Sequence, residues 1–207
     1  MRLSRFLWPF PFGIRLGWFS AGAPNPEAGT ARGRIFLLRG NGIVFSRGFG
    51  TLCGELRRRG YWTEDLRCVG DRWLCRHLRA EQKEGRLRGP IVLVGHSCGG
   101  RYALYAADEL RHSGIVVDTI VCLDVALPPP VPVNVKSAVN LYLTRFRLYP
   151  ARPLLPAPHS SSQITNIDLD AADSPIAPNG LHHLNLTDSP AVQSFVLAKI
   201  QETMVPW

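Results

Sequence analysis

Four consecutive branched aliphatics, Ile91-Val92-Leu93-Val94, run without a break into Gly95-His96-Ser97-Cys98-Gly99-Gly100, and a helix-like segment follows at once. Few local structures accept that order. The apolar run reads as a parallel strand buried on both faces, the Gly-x-Ser-x-Gly as a sharp turn, and the residues after it as a helix N-terminus. In such a turn the serine takes a strained backbone conformation and its hydroxyl stands out above the sheet. Gly95 and Gly99 let strand and helix approach without a clash. Ser97 is therefore expected to be a nucleophile, with the backbone N–H of Cys98 placed to stabilise an oxyanion at the start of the helix.

The rest of the chain alternates in the same manner. Arg34–Leu38 predicts a buried strand ended by Gly40-Asn41-Gly42, and Phe49, Leu52, Cys53 and Leu56 follow at helical spacing up to Gly60. A weaker strand is expected within residues 61–69. Asp71 fits the N-cap of a helix through Trp73, Leu74 and Leu78. Beyond the Ser97 turn, Ala103, Ala106, Ala107 and Leu110 mark a helix, and Thr119–Leu123 a strand that ends at Asp124. Val135, Ala138, Val139 and Tyr142 suggest a short amphipathic helix between two proline-rich passages, Pro128–Pro132 and Pro150–Pro158. Residues 163–169 predict a last strand, and Ser189-Pro190 the cap and first residue of a last helix. Five strands alternating with helices predict an α/β fold, a mostly parallel sheet with helices on both faces. At 207 residues the chain suits one domain, placed at residues 34–207, with a proline-bounded lid insertion at about 127–158.

Residues 1–33 stand apart. Arg2 and Arg5 precede an aromatic stretch from Phe6 to Phe19 that two prolines and Arg15 interrupt. Signal-like segment, interfacial anchor and disordered leader all fit, with weak membrane association through residues 1–20, so localisation follows the leader: cytoplasm, membrane-associated or exported. The formal charge of +8 raises nucleic acid as a partner. Its arginines are scattered, however, and Arg57-Arg58-Arg59, the single run, reads as a solvated helix face, so no nucleic acid is expected. Five cysteines, odd in number and within apolar segments, predict buried free thiols rather than disulfides. Cys98 is read as packing through its side chain.

A serine hydroxyl needs a base, normally a histidine oriented by a carboxylate. His112 lies at the far end of the helix that follows the Ser97 turn and His159 in a proline-rich loop; His182 and His183 fall between the last strand and the last helix, where a base is expected. His96 reads as a pocket or packing residue. Asp124 and Asp168 both end strands at the carboxyl edge of the sheet and both suit the acid. The second oxyanion donor is sought in the loop after the first strand, at Gly40, Asn41 or Gly42.

Leu37-Leu38-Arg39-Gly40, Ile43-Val44-Phe45-Ser46-x-Gly48, Val94-Gly95-His96-Ser97-Cys98-Gly99-Gly100 and Val121-Cys122-Leu123-Asp124 resemble a group of small bacterial thioesterase- or lipase-like α/β-hydrolases. So do Val131-Pro132-Val133-Asn134-Val135, Asn140-Leu141-Tyr142 and His183-Leu184-Asn185-Leu186. The resemblance covers residues 34 to 203. It implies Asp124 as the acid and His183, rather than His182, as the base. Cys98 stands where a leucine is commoner, and Arg47 where a small polar residue is usual. The function expected is a serine hydrolase cleaving a carboxylic ester or thioester of a small-molecule substrate through an acyl-enzyme, without metal or cofactor, the lid forming a pocket for a medium or long acyl chain. An acyltransferase with the same residues and a non-catalytic binding protein are the alternatives.

Overall fold

The computed structural model describes residues 24–27, 31–41, 46–145, 151–176 and 180–204. The expectations for the first 23 residues, for Gly42 and for the side chain of Cys68 lie outside them. Six strands, β1 (Arg34–Leu38), β2 (Trp62–Leu66), β3 (Ile91–His96), β4 (Val117–Leu123), β5 (Val135–Tyr142) and β6 (Gln163–Asp168), form one sheet in the order β2-β1-β3-β4-β5-β6. Every pairing is parallel. Helices α1 (Gly48–Arg58), α2 (Asp71–Lys83), α3 (Cys98–Arg111) and α4 (Pro190–Met204) cover it.

Alternation along each central strand sends side chains to two cores. Phe36, Leu38 and Leu93 pack with α2 and α3, whereas Ile35, Leu37, Val92 and Val94 pack with α1 and α4. A strand apolar at every position is stable only with both faces covered, which is why β1 and β3 read as unbroken hydrophobic runs. Ser189 and Pro190 start α4 as expected, the Ser189 Oγ accepting the Val192 N–H at 3.5 Å. Asp71 is the first residue of α2 rather than its cap.

Three expectations change. Residues 135–142 are not a helix of a lid but strand β5, paired on one side with β4 and on the other with β6, which makes six strands among the described residues where five were expected. The expected lid at 127–158 thus supplies a sheet strand. Its two proline-rich flanks meet each other, the Val131 N–H donating to the Leu155 carbonyl at 2.8 Å and the Ala157 N–H to the Val131 carbonyl at 3.0 Å, with Val131 and Leu154 buried. Third, the arginine run is not uniformly solvated. Arg58 and Arg59 are exposed beside Glu55, but Arg57 folds onto β2, the sheet's edge, and donates to the Thr63 carbonyl at 2.8 and 3.0 Å. Asn25 accepts the Thr63 N–H at 2.7 Å, so side chains satisfy the edge where a further strand would pair.

Among the described residues Cys53, Cys75 and Cys122 are buried free thiols and Cys98 is a half-buried one. Burial pushes the first three thiols up to about 12, which leaves them protonated and inert. No helix among the described residues is long and apolar enough to cross a membrane.

Candidate functional site

The order β2-β1-β3 places consecutive crossovers on opposite sides of β1, so the loops after β1 and β3 part and leave a crevice at the carboxyl edge. Ser97 stands there, between β3 and α3, with φ 55° and ψ −126°, in the left-handed region that costs an L-residue strain. Close packing holds it. A Cβ on Gly95 would lie 2.4 Å from the Gly100 Cα, and one on Gly99 2.1 Å from the Leu38 carbonyl oxygen. The Ser97 N–H donates to the Leu123 carbonyl at 2.9 Å, tying the turn to β4.

Asp124 follows β4 directly, also at positive φ (50°), and is buried. Its Oδ1 accepts the Leu143 N–H at 3.0 Å, which aims Oδ2 into the crevice, where His183 Nδ1 lies 2.6 Å away. His183 Nε2 lies 3.1 Å from Ser97 Oγ. Three side chains from three distant segments thus form one continuous chain of hydrogen bonds.

The loop that carries His183 is pinned at several points. Asn185 Oδ1 accepts the His182 N–H at 2.8 Å, and the Asn185 amide donates to the Gly180 carbonyl at 3.0 Å. Asp188 Oδ1 accepts the Gly48 N–H, so a carboxylate of this loop caps the positive end of α1. Gly48 has no room for a side chain, since a Cβ would meet the Thr187 carbonyl oxygen at 1.8 Å.

The alternatives lie elsewhere. His182 is exposed, its Nδ1 accepting the Leu184 N–H at 3.3 Å. Asp168 ends β6, two strands beyond β4, and accepts from Thr144 Oγ1 and the Asp170 N–H. His112 and His159 are exposed.

Of the expected oxyanion donors, Cys98 opens α3, so its N–H belongs to the turn whose donors point out along the helix axis. Gly40 sits against Ser97, but its N–H donates to Ser46 Oγ at 2.9 Å, which removes it as a donor to substrate. Asn41, the next residue, is exposed. Arg39, just before, is buried and forks onto Asp65 of β2, anchoring the start of this loop. Arg47 is exposed beside the buried Ser46.

Two residues at the site have contacts that the sequence reading did not assign: His96 was expected only as a pocket or packing residue, and Ser46 only as part of the motif Ile43-Val44-Phe45-Ser46-x-Gly48. Ser46 is 1% exposed at φ 68°, and His96 is 1% exposed with Nδ1 2.7 Å from Ser46 Oγ and Nε2 2.9 Å from the His183 carbonyl oxygen. Burial, and then the positive charge His183 can carry, push the His96 pKa down to about 4. Among the described residues no cluster of three or more His, Cys, Asp or Glu is arranged to hold a metal ion.

Residues 29–199 match the model of the alpha/beta hydrolase family. Solved structures share the fold at low identity. RedJ, the thioesterase from the prodiginine biosynthetic pathway in Streptomyces coelicolor, is 11% identical with a TM-score of 0.53, over 88% of this chain and 96% of that one. An esterase domain from a Rhodothermus marinus protein is 13% identical with a TM-score of 0.53, over 88% and 92%. The NocB thioesterase domain, solved as a covalent complex with a fluorophosphonate nocardicin G analog, is 12% identical with a TM-score of 0.51, over 86% and 96%. No curated protein sequence gives a significant match.

Proposed function

Since the chain belongs to the alpha/beta hydrolase family, we propose that it is a serine hydrolase cleaving a carboxylic ester or thioester through an acyl-enzyme. The observation that carries this reading is the unbroken run Asp124 Oδ2, His183 Nδ1, His183 Nε2, Ser97 Oγ, with contacts of 2.6 and 3.1 Å at its two ends. Ser97 Oγ bonds to the acyl carbon while its proton passes to His183 Nε2, and the carbonyl electrons move onto the oxygen. Asp124 holds the imidazole in the tautomer with Nδ1 protonated and stabilises the imidazolium. The oxyanion lies against the Cys98 N–H and a donor from the loop at Asn41; one such donor contributes about 2.7–4 kcal/mol to the transition state. His183 then protonates the departing alkoxide or thiolate. Water, deprotonated by the same imidazole, attacks the acyl-enzyme and releases the acid and Ser97.

The thioesterase names of two fold neighbours favour an acyl thioester among the substrates, and NocB's reaction with a fluorophosphonate suggests the probe. A fluorophosphonate should label the wild type and leave Ser97→Ala unlabelled, with p-nitrophenyl ester turnover falling at least about 10³-fold in the variant. A wild type that neither takes the label nor cleaves esters or acyl thioesters would overturn the proposal.

A further inference from the structure

The main chain of His183 accepts a hydrogen bond from a buried side chain that the acyl-transfer steps do not use. From this contact we infer that His96 and Ser46 are positioning residues, which set the height of the His183 loop above Ser97 and hold Gly40 and Ser46 in place beside it. The inference rests on the hydrolase reading above.

The polarity of the chain is determined at both ends. Gly40 N–H can only donate, so Ser46 Oγ accepts at 2.9 Å; the His183 carbonyl can only accept, so His96 Nε2 carries a proton at 2.9 Å. A neutral imidazole with Nε2–H has a bare Nδ1. The Ser46 hydroxyl, its lone pair taken by Gly40, turns its own proton to that nitrogen at 2.7 Å. Each group is satisfied in one direction only, with Ser46 and His96 1% exposed. Ser46 holds this place at φ 68°, a strained conformation that persists only where its surroundings demand it.

Three carboxyl-edge segments are thereby joined: Gly40 and Ser46 at the two ends of the loop after β1, His96 at the end of β3, and His183 before α4. His96 adjoins Ser97 in the chain, so one side chain sets the spacing between the nucleophile's backbone and that of the base. Its ring also lies 4.8 Å from the His183 ring, tilted by 35°. His183 is held by its carbonyl from one side and by Asp124 at its Nδ1 from the other. Neutrality of His96 matters here, since a second cation beside the imidazolium of His183 would oppose the proton transfer.

The test compares His96→Phe, which keeps a ring and loses both hydrogen bonds, with His96→Gln, whose amide N–H can reach the His183 carbonyl, and with Ser46→Ala. Fluorophosphonate labelling rates and p-nitrophenyl ester kcat and KM are measured beside thermal unfolding and circular dichroism. Expected is a loss of about 10–100-fold in labelling rate and kcat for His96→Phe with KM within about threefold, recovery of at least about tenfold in His96→Gln, and an intermediate Ser46→Ala. Folded His96→Phe within twofold of wild type would overturn the inference. So would His96→Gln as slow as His96→Phe, which would mark the side chain as filling only. Should His96→Phe not fold, a folded Ser46→Ala within twofold of wild type overturns it. A wild type that takes no label overturns the hydrolase reading, and the inference with it.

Discussion

At Asp124 a single carboxylate divides its oxygens, one fixed by the Leu143 N–H and the other by His183. Asp124→Asn should keep the first bond and present the wrong partner to the imidazole, lowering kcat on the order of 10⁴-fold, with Asp168→Asn close to wild type because Asp168 serves Thr144 and Asp170. Steady-state turnover of the two folded variants separates them. His96 gives a pH prediction. Its folded pKa, about 4, lies below its ordinary 6.5, so between these values the unfolded chain binds a proton that the folded chain refuses. Stability therefore falls as pH drops from 6.5 to 4, by on the order of 3 kcal/mol, and changes no further below that. His183 and Asp124 face the same ring, and only the His96 part of the slope should vanish in urea titrations of His96→Gln. At this scale the sequence was informative where chemistry needs a residue type and silent where it needs a direction. The pair His182-His183 marked a candidate base, but only the resemblance chose between the two rings; Asn185 Oδ1, in the same loop, accepts the His182 N–H, His96 from β3 donates to the His183 carbonyl, and the His183 ring faces Ser97.

Strands with two apolar faces were legible, since β1, β3 and β4 leave no other explanation for their runs. Strand β5 was not. Val135, Ala138, Val139 and Tyr142 fall at helical spacing, while Lys136, Ser137 and Asn140 hide the period of two. Pairing with β4 and β6 decides the matter, and buried Asn140 donates its amide to the Arg152 carbonyl and to Asn166 Oδ1 at 3.0 and 3.1 Å. Propensity over eight residues is weak against two ladders of backbone hydrogen bonds. The element most exposed to a single substitution is the start of the loop after β1. Arg39 and Asp65 are a buried pair, and burial pushes the Asp65 carboxyl up even with the guanidinium forked onto it. Arg39→Ala should cost about 3–5 kcal/mol in urea unfolding at neutral pH by leaving that carboxylate alone. The loss should shrink in acid, because the folded variant then takes up a proton more readily than the unfolded chain, and stability falls as pH rises. Arg39→Ala with Asp65→Ala should recover part of it.

Across the whole molecule, the switch between β1 and β3 puts the crevice at the edge where β1, β3 and β4 end, and every crossover leading there joins parallel strands through long connections. That architecture followed from the alternation of apolar runs and helical periods; the destination of the proline-rich passages did not, because their bridge at Val131 and Pro156 depends on β5 being a strand. Such topologies fold slowly, since loop closure precedes the contacts that reward it. Helix and sheet signals should return before ester cleavage when the denatured protein is diluted into buffer, and stopped-flow circular dichroism beside an activity assay reads the gap.

The Gly48 N–H that donates to Asp188 ties the beginning of the first helix to the loop just ahead of the last one. In time, this contact is a closing clasp. In the proposed hydrolase the serine and the acid are made by residue 124, whereas the imidazole at residue 183 is made later and takes its place as its loop docks on α1, an element made before both. Between those two moments the proposed nucleophile has no base, and under the hydrolase reading reactivity waits on the docking of that loop.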